Sequence, residues 1–183
     1  MQVAEKELNL NKNTNNTTIP QDMVIERGET QKDVNTTILK ELVRRFGKDQ
    51  NFRAIDLPCG KGLFLNYMST LFPKAELHGA DLEEQPARSG IQFHAMDLTK
   101  EFHLSEEETF DLVTSISGVM MFGNTLNFIR NCVERIKPGG IFVLTNDNSA
   151  TIIDRVAFLT LGRHRQFPLI YEDDWGITQN IPI

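Results

Sequence analysis

Apolar residues take up a helical period once the chain has passed residue 30. They recur every four residues from Val34 to Phe46, the spacing that places side chains on one face of an α-helix. Thr30 with Asp33 resembles a capping box at the start of this helix, and Gly47 is suited to end it. The pattern predicts an amphipathic helix that packs against the outside of a sheet.

From residue 52 onward, short apolar runs of strand length alternate with runs of helical period. Strands are predicted at 52–57, 75–80, 91–96, 110–116 and 141–145, and helices at 63–72, 126–136 and 149–161. Consecutive strands joined through helices imply right-handed crossovers. The pattern therefore predicts an α/β fold of the Rossmann-like type, with a doubly wound and mostly parallel sheet.

The connections between these elements carry their own signals. The sequence KPGG, residues 137–140, is predicted to form a turn between the helix at 126–136 and the last strand. Ser149 is predicted to cap the final helix. Only residues 82–90 join the second and third strands, which is short for a crossover with a full helix. A single helical turn is therefore predicted around 83–88.

Length and composition predict one domain preceded by an arm. The chain has 183 residues, 40% of them hydrophobic, which is enough for a single core of useful size. Residues 1–20 are rich in Asn and Thr and have few large apolar side chains to offset the entropy of ordering. We expect 1–20 to be a disordered or loosely packed arm and 21–183 to form the domain.

Charge and cysteine content exclude several classes of partner. The formal net charge is -6, whereas proteins that bind nucleic acid through phosphates usually present a basic face. No apolar run approaches the roughly 20 residues of a membrane span, and no signal peptide is recognised. Cys59 and Cys132 are too far apart to suggest a disulfide framework or a metal site. These features predict a cytoplasmic protein that binds neither nucleic acid nor membrane.

The sequence IDLPCGKG, residues 55–62, places a glycine turn between the first strand and its helix. A P-loop would require a glycine where Ile55 stands and a hydroxyl residue where Gly62 stands. A dinucleotide site would require three glycines and several backbone donors, but this turn has two glycines and Pro58 has no N–H. Asp56 would also bring negative charge close to the phosphates of either ligand.

A third ligand class, S-adenosylmethionine, has no phosphate and carries a sulfonium and an ammonium group. A carboxylate beside the turn then favours binding instead of opposing it. Asp56 is expected to hold the cationic end directly or through water. Gly60 and Gly62 would let the backbone approach the methionine portion closely.

Further polar residues follow the neighbouring predicted strands. Ligands of open parallel sheets bind outside the carboxyl ends of the strands. Asp81 lies about 20 residues beyond Gly62, the offset at which an acidic residue binds a ribose diol. Asp97 is placed to accept a hydrogen bond from an adenine amino group, and its neighbour Leu98 to flank the ring. Ser115, at the end of the fourth strand, faces the same crevice.

Taken together, these residues resemble the class I S-adenosylmethionine-dependent methyltransferases. The segment AIDLPCGKG resembles their glycine motif, GAD their ribose-binding acid, AMDL their adenine-side acid, FDLVTS their fourth strand and RIKPGGIFVLTND their turn and fifth strand. The likeness covers about residues 30–165. It implies S-adenosyl-L-methionine as cofactor, with a site made of Asp56, Pro58, Gly60, Gly62, Asp81, Leu82, Asp97, Leu98 and Ser115.

Two departures from the family pattern bear on the fold. Pro58 stands where the turn of the family usually has its first glycine, a change that fits if the local φ is near the proline value. The sheet of the family usually ends in an antiparallel strand pair, but this chain stops at Ile183 soon after its last predicted helix. We therefore expect that pair to be missing, either because the chain is a fragment or because another chain completes the domain.

The resemblance implies methyl transfer by in-line displacement, which requires alignment and exclusion of water rather than a protein nucleophile. Residues 155–177 resemble, more weakly, members that act on small molecules or are associated with polysaccharides, so a small-molecule or glycan-like acceptor is expected. Candidate bases are Asp147, His103, His164, Glu172 and Asp173, and none is favoured.

Other interpretations of the same residues remain open. No metal site is predicted, because acidic surface is the simpler interpretation of Asp147, Asp173 and Asp174. His78 is interpreted as a strand residue whose hydrogen bonds are satisfied. An alternative to the enzyme is a non-catalytic module that binds S-adenosylmethionine. An NAD-dependent reductase is disfavoured by Asp56 and by the missing third glycine.

Overall fold

The computed structural model describes residues 18–162 apart from 29, 84, 87, 106–107, 120–121 and 147–150, together with the backbone of 170–172 and 178–180. The predicted arm therefore lies almost wholly outside the described residues. The same holds for Asp147, Ser149, His164, Asp173 and Asp174.

Five parallel strands form the central sheet, in the spatial order β3-β2-β1-β4-β5. They are β1 (Arg53–Asp56), β2 (Glu76–Asp81), β3 (Ile91–Ala95), β4 (Phe110–Ser115) and β5 (Ile136–Leu144). The chain builds outward from β1 on one side and then crosses to β4 on the other. The strand order thus reverses beside β1, which is where open α/β sheets bind their ligands.

Four helices accompany the sheet: α1 (Val34–Phe46), α2 (Leu63–Leu71), α3 (Thr125–Glu134) and α4 (Ile152–Leu161). Two further strands, β6 (Ile170–Glu172) and β7 (Thr178–Asn180), pair with each other in an antiparallel sheet of their own. The five-stranded sheet therefore has no antiparallel member among the residues described.

Apolar side chains cover both faces of the sheet, as a doubly wound fold requires. Ala54 and Leu112 belong to a cluster that includes the buried residues of α1 and α2. Ile55 and Val113, the next residues along the same strands, belong to a second cluster with Phe128 of α3. Because successive strand residues point to opposite faces, the two clusters lie on opposite sides. The predicted Rossmann-like fold is confirmed.

The start of α1 differs from the predicted capping box. Asp33 is the N-cap residue but adopts a left-handed conformation and makes no side-chain capping bond. The Thr30 hydroxyl instead donates to the carbonyl oxygens of Arg27 and Gln31. The prediction was wrong because Thr30 stabilises the segment before the helix. The predicted end at Gly47 is confirmed by its C-cap position.

Three connections also depart from their predicted form. Residues 137–140 lie within β5 as an irregularity, since Phe110 pairs with Ile136 and Leu112 already pairs with Ile141. Thr151, rather than Ser149, caps α4 through a bond from the Asp154 backbone N–H. The described residues between β2 and β3 form no helical turn, and this short connection closes with an isolated bridge between Arg88 and Ile91.

Candidate functional site

Asp56 is the last residue of β1 and is almost completely buried, with 3% of its surface exposed. It lies between Gly79 of β2 and Thr114 of β4 in the strand register. The Thr114 hydroxyl donates to Asp56 Oδ1 over 2.6 Å. Burial raises the pKa of the Asp56 carboxyl to about 7, against the opposing effect of the Thr114 hydrogen bond. A carboxylate held in this way is well suited to a cationic group.

The glycine turn after Asp56 is fixed by backbone hydrogen bonds to both neighbouring strands. Leu57 N–H donates to the Thr114 carbonyl over 2.9 Å, and Cys59 N–H donates to the Ala80 carbonyl over 3.0 Å. The Leu57–Pro58 peptide bond is cis. The turn is therefore held to the sheet on both sides before α2 begins.

Gly60 and Gly62 both have positive φ, 50° and 71°, which is the conformation that side chains disfavour. They differ in their surroundings. A Cβ on Gly62 would lie 3.1 Å from Phe93 Cζ, whereas a Cβ on Gly60 would meet no atom within 4 Å. Gly62 is thus required by packing, and Gly60 exposes its backbone to open space.

Asp81 ends β2 and binds the glycine turn directly. Its Oδ2 accepts from Gly60 N–H over 2.7 Å, and its Oδ1 accepts from Leu82 N–H over 2.7 Å. Each carboxylate oxygen keeps further acceptor capacity. The structure thus brings Asp81 and Gly60, 21 positions apart, into one hydrogen-bonded unit at the carboxyl ends of β1 and β2.

A cavity of about 400 Å³ opens beside this unit, a size typical of small-molecule sites. Its lining comes from the glycine turn, the start of α2 and the segment before α1. The lining residues are Gly28, Thr30, Asn35, Asp56, Pro58, Cys59, Gly60, Lys61, Leu63, Phe64, Asn66, Arg88 and Ile116. Three predicted site residues, Asp56, Pro58 and Gly60, therefore share one cavity wall.

Asn35 of α1 also lines the cavity and was not found by sequence analysis. It is 4% exposed, and its Nδ2 donates to the carbonyl oxygens of Glu26 and Arg27, each over 3.1 Å. Both partners are carbonyl oxygens, which only accept hydrogen bonds, so the Asn35 atom that faces them is assigned as the amide nitrogen. Its Oδ1 is buried without a hydrogen-bond partner. A buried unpaired acceptor in a cavity wall is costly unless a ligand supplies a donor.

The remaining predicted site residues are not among those that line the cavity. Asp97 Oδ1 accepts from Thr99 N–H and its Oδ2 pairs with Lys100 Nζ at 2.8 Å, which together with the Thr99 hydroxyl lowers its pKa to about 2. Leu98 is buried in the second cluster, whereas Leu82 is 56% exposed. Ser115 is fully buried, and its Oγ has no hydrogen-bond partner.

Among the described residues, the candidate bases contribute little to this cavity. His103 is exposed and does not belong to its lining. The side chain of Glu172 is outside the described residues, as are Asp147, His164 and Asp173. Cys59 lines the cavity, but burial raises the pKa of its thiol far above the usual range, so it is not a thiolate nucleophile.

Gly118 is a further residue that sequence analysis missed. A Cβ placed on it would come within 2.2 Å of Pro58 Cδ, a distance that no packing tolerates. The proline of the turn thus requires a glycine just beyond β4. No signal in the local pattern indicates this requirement, because it arises from the approach of two segments distant in sequence.

We expect Gly118→Ala to destabilise the protein by about 1–3 kcal/mol, the usual cost of overpacking, and to displace Pro58. Gly123→Ala is the matched control, since a Cβ there meets no atom within 4 Å. Chemical denaturation of both variants checks the expectation. Equal stability of the two variants would show that the contact between Gly118 and Pro58 imposes no packing limit.

The helices were compared with the length and hydropathy of a membrane span. None of those in the described part of the chain is long and apolar enough to span a bilayer. The cytoplasmic location inferred from the sequence stays a prediction.

Comparison with protein families identifies a match over most of the chain. A family model described as "Methyltransferase domain" matches residues 30–173. A malonyl-[acyl-carrier protein] O-methyltransferase of Bacillus anthracis is 26% identical over 129 residues, which cover 66% of this chain and 47% of that protein. A ubiquinone biosynthesis O-methyltransferase of Aliivibrio fischeri is 29% identical over 104 residues, which cover 52% of this chain and 42% of that protein. The chain thus spans about half the length of these curated relatives.

Solved structures agree on the fold. The structure of CalS10, an amino pentose methyltransferase from Micromonospora echinaspora with S-adenosylmethionine bound, aligns with a TM-score of 0.50 at 24% identity and covers 67% of this chain and 53% of that one. The sugar N-methyltransferase KedS8 from Streptoalloteichus aligns with a TM-score of 0.51 at 19% identity. The alignment covers 82% of this chain and 61% of KedS8. At these identities the likeness concerns the architecture.

Proposed function

Because the chain belongs to the class I S-adenosylmethionine-dependent methyltransferase family, we propose that it transfers a methyl group from S-adenosyl-L-methionine to a small-molecule or glycan-like acceptor. The observation that carries the proposal is a buried carboxylate, Asp56, beside a glycine turn that is bound by a second carboxylate, Asp81. Both lie at the strand-order reversal, where this fold binds ligands.

The cavity fits the methionine end of the cofactor in three respects. Asp56 supplies buried negative charge for the cationic groups. Asn35 Oδ1 lacks a hydrogen-bond donor that an ammonium would provide. The open space over Gly60 lets a ligand approach the backbone. A phosphate in the same place would lie close to the buried Asp56 carboxylate, which disfavours the NAD-dependent alternative.

The nucleoside end is assigned to residues beyond the cavity wall. Asp81 would accept from the two ribose hydroxyls with the acceptor capacity that Gly60 and Leu82 leave free. Asp97 keeps its ionised form and is partly exposed, so it can accept from an adenine amino group. We assign Leu82, Leu98 and Ser115 to the surroundings of the nucleoside, with Leu98 acting through the packing that fixes Asp97 and with Pro58 and Gly62 shaping the turn.

The protein contributes positioning rather than covalent chemistry. The cofactor supplies a methyl group on a sulfonium, which is already an excellent leaving group, so transfer by in-line displacement needs alignment and a dry site. Asp56 and the glycine turn would fix one end of the cofactor, and Asp81 the other. The segment that carries Gly28 and Thr30 forms part of the cavity wall and would limit the access of water on that side.

The acceptor class rests on the comparisons. CalS10 acts on an amino pentose and KedS8 is a sugar N-methyltransferase, whereas the B. anthracis relative acts on a malonyl-[acyl-carrier protein]. A small-molecule or glycan-like acceptor is therefore proposed, with neither nucleic acid nor membrane as partner.

Transfer of a radiolabelled methyl group tests this proposal. The purified chain is incubated with labelled S-adenosylmethionine and a panel of amino sugars, hydroxylated glycans and small carboxylic acids. We expect label in at least one acceptor and release of S-adenosylhomocysteine. Cofactor binding without transfer to any acceptor would favour the non-catalytic binding module, and a chain that binds NAD instead would contradict the family-based proposal.

Asn35 gives a more local prediction. Asn35→Ala removes the unpaired acceptor, and we expect about tenfold weaker binding of S-adenosylhomocysteine, the worth of one hydrogen bond to a charged group. Asn131→Ala is a suitable control, because Asn131 is another buried helical asparagine, bonded to the Lys100 carbonyl away from the cavity. Calorimetric titration of both variants decides the matter: equal affinities would remove Asn35 from the site.

A further inference from the structure

Two histidines and a glutamate form a cluster outside the cavity. His78 lies in β2 and His94 in the neighbouring edge strand β3, while Glu108 precedes β4. His78 Nδ1 is 3.0 Å from His94 Nε2, and one ligand atom from each of the three residues lies within 4.8 Å of the others. None of the three residues lines the cavity. No role in methyl transfer accounts for this cluster.

The strand register explains why the two imidazoles meet. Ala80 pairs with His94 and His78 with Gln92, so the histidines are diagonal neighbours on adjacent parallel strands. Residues two apart on one strand point to the same face of a sheet, and Ala80 belongs to the second apolar cluster. The rings are nearly parallel, with an interplanar angle of 8°. The two histidines are therefore part of the sheet, and Glu108 meets them from the segment before β4.

A carboxylate already orients the inner histidine. His78 is 1% exposed, and its Nε2 lies 2.9 Å from Glu76 Oε1. Arg53 pairs with the same glutamate oxygen at 3.1 Å. A proton on Nε2 that is donated to Glu76 leaves the Nδ1 lone pair free to face His94. Histidines that bind metal almost always have their other ring nitrogen held by a carboxylate or carbonyl in this way.

The third residue is oriented as well. Glu108 Oε2 accepts from Ser105 N–H over 2.7 Å, which fixes the orientation of the carboxylate. Two imidazole nitrogens with one carboxylate oxygen match the donor set of Zn²⁺, which binds nitrogen at about 2.0–2.1 Å.

We propose that His78 Nδ1, His94 Nε2 and a Glu108 carboxylate oxygen bind one Zn²⁺ ion, with a fourth position open to water. Tetrahedral bonds of about 2.0 Å place two nitrogens about 3.3 Å apart. The two nitrogens now face each other at 3.0 Å, with the ring centroids 5.3 Å apart, so both imidazoles must turn out of this in-line arrangement to point at one ion. The metal would replace the proton that the two imidazoles otherwise share. It would fasten the edge strand β3 to β2 and to the segment before β4.

Cobalt titration of the metal-free chain tests the site, because Co²⁺ replaces Zn²⁺ and gives visible d–d absorption in a four-coordinate site. We expect one equivalent of Co²⁺ to produce these bands, Zn²⁺ to remove them, and Zn²⁺ to raise the melting temperature. His94→Gln is expected to abolish all three effects. His103→Gln is the matched control, since His103 is exposed and outside the cluster, and it is expected to behave as wild type.

A second variant protects the test against a folding defect in His94→Gln. Glu108→Gln keeps the size of the side chain, and at a half-buried position it is expected to retain the metal-free melting temperature while weakening Co²⁺ binding by about tenfold or more. Absence of visible bands in folded wild-type protein would overturn the proposal and leave a hydrogen-bonded histidine pair. Bands that persist in both variants, or that vanish in His103→Gln, would overturn it too.

Discussion

Asp56→Asn is expected to stabilise the ligand-free protein above pH 7 and to abolish cofactor binding. The folded protein raises the pKa of this carboxyl from 3.8 to about 7, chiefly through burial. An acid with a raised pKa binds more protons in the folded state than in the unfolded state, so its contribution to stability falls as the pH rises from about 4 to 7. Asparagine has no charge to bury and keeps an oxygen for the Thr114 hydroxyl.

The pKa difference sets an upper limit of about 4 kcal/mol on this stabilisation at pH 8. Chemical denaturation of wild type and variant at pH 5 and pH 8 measures it, and the advantage of Asp56→Asn should be larger at pH 8. Asp22→Asn serves as control because Asp22 is exposed, and it should show no such pH dependence. If Asp56→Asn were less stable than wild type at pH 8, the ionised Asp56 carboxylate would stabilise the folded protein, and the argument from its burial would be wrong.

The same substitution should act in the opposite sense on binding. A carboxylate that pairs with a cation loses both charge and acceptor capacity when it becomes an amide. We expect S-adenosylhomocysteine binding by Asp56→Asn to fall below detection, and wild-type affinity to rise as the pH passes through about 7. Titration calorimetry at pH 6 and pH 8 measures both. Undiminished affinity in a folded variant would remove Asp56 from the cofactor site.

Asp81→Ala is the second substitution with a large expected effect. It removes the acceptor of Gly60 N–H and Leu82 N–H and, by our assignment, the partner of the ribose hydroxyls. Hydrogen bonds to a charged group contribute about 1.5–3 kcal/mol each, so affinity for S-adenosylhomocysteine should fall by about 100-fold or more. The loss of melting temperature should be smaller than for a core truncation, because Asp81 is half-buried at the end of a strand.

Glu83→Ala is the control for Asp81, since Glu83 is an exposed carboxylate two residues further along the chain. It should bind the ligand as wild type does. If Asp81→Ala weakened methionine and S-adenosylhomocysteine equally, Asp81 would act by holding the glycine turn rather than by binding ribose. A loss confined to ligands that contain ribose would support the assignment.

The pattern of apolar positions was sufficient to predict where the strands of the sheet and the helices lie along the chain. Four strands and all four helices lie within about three residues of their predicted bounds, because each coincides with an apolar run of the matching period. The fifth strand overlaps its predicted run but begins five residues earlier, at Ile136. Asp56 and Asp81 could be singled out because each directly follows an apolar strand run, and parallel strands end at a common edge. Their positions at the ends of two parallel strands were enough to predict that both carboxylates lie at the same edge of the sheet.

Features that depend on contacts between distant segments were not predictable. Asn35 falls on a helix whose sequence pattern is ordinary, and its unpaired oxygen arises because the segment with Glu26 and Arg27 folds back onto α1. The requirement for Gly118 comes from Pro58, 60 positions earlier. The raised pKa of Asp56 likewise depends on burial between β2 and β4, which no local pattern encodes.

Calorimetric titration of the purified chain with S-adenosylhomocysteine, and separately with NAD, tests the central claim most directly. We expect one site per chain with micromolar affinity for S-adenosylhomocysteine and no comparable binding of NAD. Such a result would support the assignment of Asp56, Asp81 and the glycine turn to this cofactor. A folded chain that binds neither ligand, or that prefers NAD, would contradict the claim that the glycine turn with Asp56 and Asp81 binds a cationic cofactor.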